Sequence, residues 1–177
     1  MHNPTLPELA QEAYYIARSK GFYHPYQPIN LLREKVLVLT ELAEAINAER
    51  SGRYSRKRTV SLLWPRPIYR WKYKRNICGT VEDELADAML RVLTLYWHYF
   101  SDTPAFKEDI LTPLNIPELM HYSARFLTDH QDIGYQLSVV YTLIRKYAYT
   151  KGIDLPFVIR RKNRYNQTRG YLHGKQY

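Results

Sequence analysis

The pentad Glu-Leu-Ala-(Glu/Asp)-Ala occurs twice in this 177-residue chain, as Glu41-Leu-Ala-Glu44-Ala45 and as Glu84-Leu-Ala-Asp87-Ala88. Acids three positions apart share one face of a helix, and the small alanines let a second helix approach closely. Both strings sit in apolar surroundings. Val36-Leu-Val-Leu39 precedes the first, and Leu42, Ala45 and Ile46 continue it. Leu85, Ala88, Met89, Val92 and Leu95 form an apolar stripe beside the second. Carboxylates on buried faces are costly unless they are paired, protonated or bound to a metal. Few Lys or Arg lie within these helices; Lys35 and Arg91 are the candidates, either to neutralise the acids or to meet an anionic substrate. Clustered oxygen donors of one sign suit a hard divalent cation, so Glu41, Glu44, Glu84 and Asp87 are candidate ligands for Mg²⁺, with Mn²⁺ as a substitute. The competing account makes them solvated acids, some of them favouring a helix N-terminus through its dipole. It does not reach Asp87, more than a turn inside its helix, or Glu41 and Glu44 in mid-helix.

Helices must position these acids, and the sequence is rich in helix signals. Thr5-Leu-Pro7-Glu8, Asn115-Ile-Pro117-Glu118 and Asp154-Leu-Pro156-Phe157 each place a capping oxygen before a Pro in the first turn. The first also has the form of a capping box, and Thr80-Val-Glu82-Asp83 is a fourth start. Gly21, Gly52 and Gly152 stand where a left-handed residue ends a helix. Few stretches alternate with the period of a strand. The predicted helices are 6–19, 29–50, 80–100, 116–129, 132–150 and 155–168, an all-α, antiparallel helical bundle. Residues 51–79 read as an inserted irregular arm, too short for a core of its own.

Length and composition set the frame. One domain over 1–177 is expected, with 45% apolar and 14% aromatic residues to build a core. No run approaches the ~18 apolar residues of a membrane span. Cys78 is the single cysteine, which excludes an intrachain disulfide and a paired-thiolate zinc site. His2, His24, His98, His121, His130 and His173 show no metal-ligand spacing, and no Gly-rich phosphate loop is present. The N-terminus lacks the basic and apolar regions of a signal peptide, so a cytoplasmic protein is expected. The net charge is +9, but it is segregated: ten Lys/Arg fall in residues 50–75 and six in 155–177, with no acid in 51–81 or in 155–177. The remainder, with ten basic and seventeen acidic residues, is anionic. Either basic segment suits a polyanion, nucleoside triphosphate and nucleic acid alike.

The paired acidic strings resemble those of the MazG-like, all-α nucleotide pyrophosphohydrolases. Arg33-Glu-Lys35-Val-Leu-Val-Leu-Thr-Glu41-Leu-Ala-Glu44-Ala is similar to that family's first metal helix, and Glu82-Asp-Glu84-Leu-Ala-Asp87-Ala-Met-Leu-Arg91-Val-Leu to its second. The end, Lys162-Asn-Arg-Tyr-Asn166-Gln-Thr-Arg169-Gly-Tyr-Leu-His173-Gly-Lys175, resembles the Lys-x-x-x-Asn-x-x-Arg and His-Gly-Lys tail of one subgroup. The resemblance implies a Mg²⁺-dependent, usually oligomeric bundle enzyme that splits a nucleoside triphosphate into monophosphate and pyrophosphate. It also implies that Lys162, Asn166 and Arg169 lie near the phosphates or complete the site. Metal would lower the pKa of a bound water, and Glu41 or Glu44 would accept that water's proton. Clearing of modified nucleotides and control of a normal pool are both compatible with it.

The arm departs from the family pattern by lengthening the gap between Glu44 and Glu84. It interleaves Arg53, Arg56, Lys57, Arg58, Arg66, Arg70, Lys72, Lys74 and Arg75 with Tyr54, Trp64, Tyr69, Trp71 and Tyr73. The expectation is a basic loop whose aromatics pack on the bundle or on a second subunit. The alternative for the whole chain is a nucleic-acid-binding helical protein that uses arm 50–75 as its working surface. A homodimer or homotetramer is expected, because the helices are apolar nearly all round.

Overall fold

Capping chemistry starts most of the helices. In the computed structural model, which describes residues 4–23, 28–55, 61–105, 115–129 and 132–174, α1 (Leu6–Ser19) begins with a reciprocal capping box between Thr5 and Glu8. α2 (Leu31–Arg50) is capped by Asn30, α4 (Val81–Phe100) by Thr80, α6 (Ile133–Thr150) by Asp132 and α7 (Leu155–Gln167) by Asp154. Asn115 and Glu118 exchange bonds at the start of α5 (Ile116–Asp129), so this start too is a capping box. Gly21, Gly52 and Gly152 adopt φ of +92°, +62° and +64° just past α1, α2 and α6, as the sequence predicts.

The stretch 51–79 is not irregular throughout. Residues Arg66–Asn76 form a further helix, α3. It escapes a reading based on polar caps because Pro65 occupies the N-cap position and makes no side-chain cap bond. The overlooked signals are Pro67 in the first turn and the apolar spacing Tyr69, Tyr73, Ile77. Arg56, Lys57 and Arg58 lie outside the described residues, as do His2, His24, His130 and Lys175.

Among the described residues all regular structure is helical, and the helices form a bundle. α4 is its axis: twelve of its twenty residues are buried, and α1, α2, α6 and α7 pack around it. α5 covers α2 and α6, and α3 lies against α7. Ala45 and Ala48 on α2 and Ala86 and Ala88 on α4 are fully buried, which accounts for the close approach of the two pentad helices. A second small cluster, Tyr69, Tyr73, Ile77 and Tyr165, fastens α3 to α7. No described helix is long and apolar enough to cross a membrane.

Candidate functional site

α2 and α4 bring three of the four pentad acids together. Glu41 from α2 and Glu84 and Asp87 from α4 each offer a carboxylate oxygen, and the three oxygens lie within 4.8 Å of one another. Glu41 and Glu84 are buried, at 6% and 7% exposure. Glu44, one turn beyond Glu41, is exposed and stands apart from this trio, although it lines the same cavity.

Among the described residues two cations reach the trio, and one of them belongs to a pentad helix. Arg91 donates from Nε to Glu41 Oε1 at 2.7 Å, and its second nitrogen pairs with the same oxygen at 2.7 Å. The other is Lys162 of α7, whose Nζ lies 2.8 Å from Asp83 Oδ1 and 2.5 Å from Asp87 Oδ2. Lys35 is not among the residues that line the cavity. The basic C-terminal segment is accordingly no solvated appendage: Arg161, Lys162 and Asn163 are 1%, 3% and 1% exposed. Burial disfavours the Lys162 ammonium, but Asp87 and Asp83 more than offset it and hold its pKa above the ordinary value.

Asp83 is the residue that sequence reasoning missed. It reads as one acid of a helix N-terminus, yet it is buried and holds Lys162 in place. Tyr73 of α3 donates its hydroxyl to Asp83 Oδ1 at 2.6 Å, and the Gly79 N–H donates to Oδ2 at 3.2 Å. Tyr73 stacks on Tyr165, ring centroids 4.4 Å apart. The inserted helix therefore braces the acidic cluster from behind. No local pattern announces this, because Asp83 and Lys162 are 79 positions apart.

The acids open into a cavity of about 1090 Å³ between α1, α2, α4 and the C-terminal segment. Ala13, Ile16, Ala17, Leu37 and Leu90 give it an apolar share of its lining; Arg33, Asn166, Arg169, Phe22, Tyr23 and His173 complete it. Among the described residues, Asn166 Oδ1 and His173 Nε2 are buried without a hydrogen-bond partner. Burial first, then Arg169, pushes His173 down to about 3, so its ring is neutral. Tyr23 donates or accepts with Thr94 Oγ1 at 2.9 Å and stacks on His98.

The electrostatics of the trio are those of a site short of positive charge. Burial, then Asp83 and Asp87, pushes Glu84 up to about 8. Burial and Asp87 also raise Glu41, with Arg91 opposing. The Glu84 carboxylate accepts no hydrogen bond among the described residues, while Glu41 and Asp87 already have a cation each. An all-oxygen, hard donor set with one uncompensated buried carboxylate fits a divalent cation such as Mg²⁺. A cation there would favour the ionised form of Glu84 that burial disfavours. Compared with protein-family profiles, curated proteins and solved structures, the chain finds no match in any of the three.

Proposed function

We propose that this chain is a MazG-like, Mg²⁺-dependent nucleoside triphosphate pyrophosphohydrolase, yielding monophosphate and pyrophosphate, with Mn²⁺ able to replace Mg²⁺. The observation that carries the reading is the convergence of Glu41, Glu84 and Asp87 in the wall of a nucleotide-sized cavity. Ligand sites commonly span about 300–1,000 Å³. Glu41, Glu84 and Asp87 would hold the metal, which when bound neutralises phosphate oxygens and lowers the pKa of water. Glu41 is tied to Arg91 through both Nε and a terminal guanidinium nitrogen, whereas Glu44 accepts no hydrogen bond among the described residues. Glu44 is therefore the better placed of the two to accept a proton from the attacking water. Lys162, Asn166 and Arg169 supply donors for the phosphates, and the apolar side chains of the lining take the nucleoside. Lys35, away from the cavity, has no part in this scheme. We also take the chain to work as a dimer or tetramer in the cytoplasm. Leu32 and Val36, one turn apart on α2, are 72% and 50% exposed. A monomer mass in light scattering at micromolar concentration would count against the oligomer.

The test is a panel of natural and modified nucleoside triphosphates with Mg²⁺, scoring pyrophosphate separately from orthophosphate, beside a Glu84→Gln control. Equimolar monophosphate and pyrophosphate, lost in the control, is the expected result. Orthophosphate alone, or no hydrolysis by folded protein, overturns the proposal.

A further inference from the structure

Helix α3 turns two different faces to its surroundings. Tyr69 and Tyr73, at 0% and 1% exposure, pack inward against Tyr165, and the Tyr69 hydroxyl donates to the Arg161 carbonyl at 2.7 Å. On helical spacing Trp71 and Arg75 lie on the opposite face, with Lys72 and Lys74 on its flanks. Trp71 is 52% exposed. Lys72 Nζ is 5.0 Å and the Arg75 guanidinium carbon 5.4 Å from its ring centroid. Arg66, Arg70, Lys74 and Arg75 are all exposed. None of these cations pairs with an acid among the described residues. Arg91 and Lys162, by contrast, are each paired with buried acids.

We propose that the outer face of α3 is a docking surface for single-stranded nucleic acid, with Trp71 stacking on a base and Arg70, Lys74 and Arg75 meeting the flanking phosphates. The half-exposed indole offers a ring for a base, which would take the place of the Lys72 or Arg75 side chain now lying over it, and the exposed cations of the same helix offer phosphate donors. A duplex keeps its bases stacked on each other and would leave Trp71 unused. An anionic membrane is the poorer partner. A surface-lying helix needs a broad apolar face, but the tyrosines of α3 are turned inward, and Ile68 and Trp71 alone remain exposed as large apolar side chains on it. None of the named docking residues lines the cavity, so this inference is independent of the hydrolase proposal.

The experiment is fluorescence anisotropy of the full chain with a labelled thymidylate strand of about 12 nucleotides, repeated with the matching duplex and with phosphatidylserine vesicles as competitors. Affinity should fall steeply between ~50 and ~200 mM salt. Trp71→Ala should weaken binding roughly 5- to 150-fold, the range that base–aromatic stacking spans. Lys74→Gln with Arg75→Gln should flatten the salt slope by about 1.4, at ~0.7 for each phosphate left without its cation. Both variants should hydrolyse nucleotides at the wild-type rate. Absence of binding at low salt, unchanged affinity in Trp71→Ala, equal affinity for the duplex, or preferential displacement by vesicles would each overturn the assignment.

Discussion

Lys162→Met is the most informative single change. In the native protein one buried ammonium meets Asp83 at 2.8 Å and Asp87 at 2.5 Å. At an effective dielectric near 20, each pairing is an attraction of about 6 kcal/mol. Withdrawing three charged groups from water cancels most of that, so the intact network contributes little net stability. Removing the lysine alone is different. Asp83, 3% exposed, would keep, among the described residues, the Tyr73 hydroxyl and the Gly79 N–H as partners. An uncompensated buried charge of this kind costs about 3–5 kcal/mol. For a urea dependence of about 2–3 kcal/mol per molar, the unfolding midpoint followed by circular dichroism at neutral pH should fall by about 1–2.5 M. Adding Asp83→Asn removes the orphaned charge and should recover at least half of that loss. The reasoning is refuted if Lys162→Met moves the midpoint by less than ~0.3 M, or if the double variant loses the sum of the two single losses, which would mean the residues are not coupled.

Other measurements bear on the same architecture. Glu84 has a folded pKa of about 8 against an ordinary 4.5. Its stabilising contribution is therefore complete below about pH 4.5 and lost as pH rises through about 8. In chelator, thermal stability should drop by about 2 kcal/mol across that window, below the full linkage value because the carboxyl borders an open cavity; Glu84→Gln should flatten the profile. Mg²⁺ at 100 times its Kd should raise wild-type stability by about 2.7 kcal/mol, and Glu84→Gln should abolish the gain in a melting experiment. Tyr73→Phe removes the 2.6 Å bond to Asp83 and should cost about 1.5–3 kcal/mol in urea unfolding. Gly21→Ala should lower Tm measurably: φ is +92°, and a Cβ would run into the Tyr171 ring, a combination that costs more than ~1 kcal/mol.

Much of this molecule is written locally. Thr5, Asn30, Thr80, Asn115, Asp132 and Asp154 each cap a helix, because a side-chain oxygen satisfying a free N–H acts over three residues. For the same reason Glu84 and Asp87 are predictable as neighbours on one face. Helix α3 escaped because its start has no polar cap, only prolines and a tyrosine spacing. What distance along the chain cannot settle is how one helix is rotated against another. The packing of α2 on α4, with Ala45, Ala48, Ala86 and Ala88 all fully buried, decides that rotation; Glu41 enters the cluster and Glu44 stays outside it. Tertiary structure likewise decides that the compensating cations are Arg91 and Lys162 rather than Lys35, and that Asp83 is an anchor and not a helix-end ornament. A buried charge must find its partner wherever the fold puts one, and for Asp83 that partner is on the last long helix of the chain.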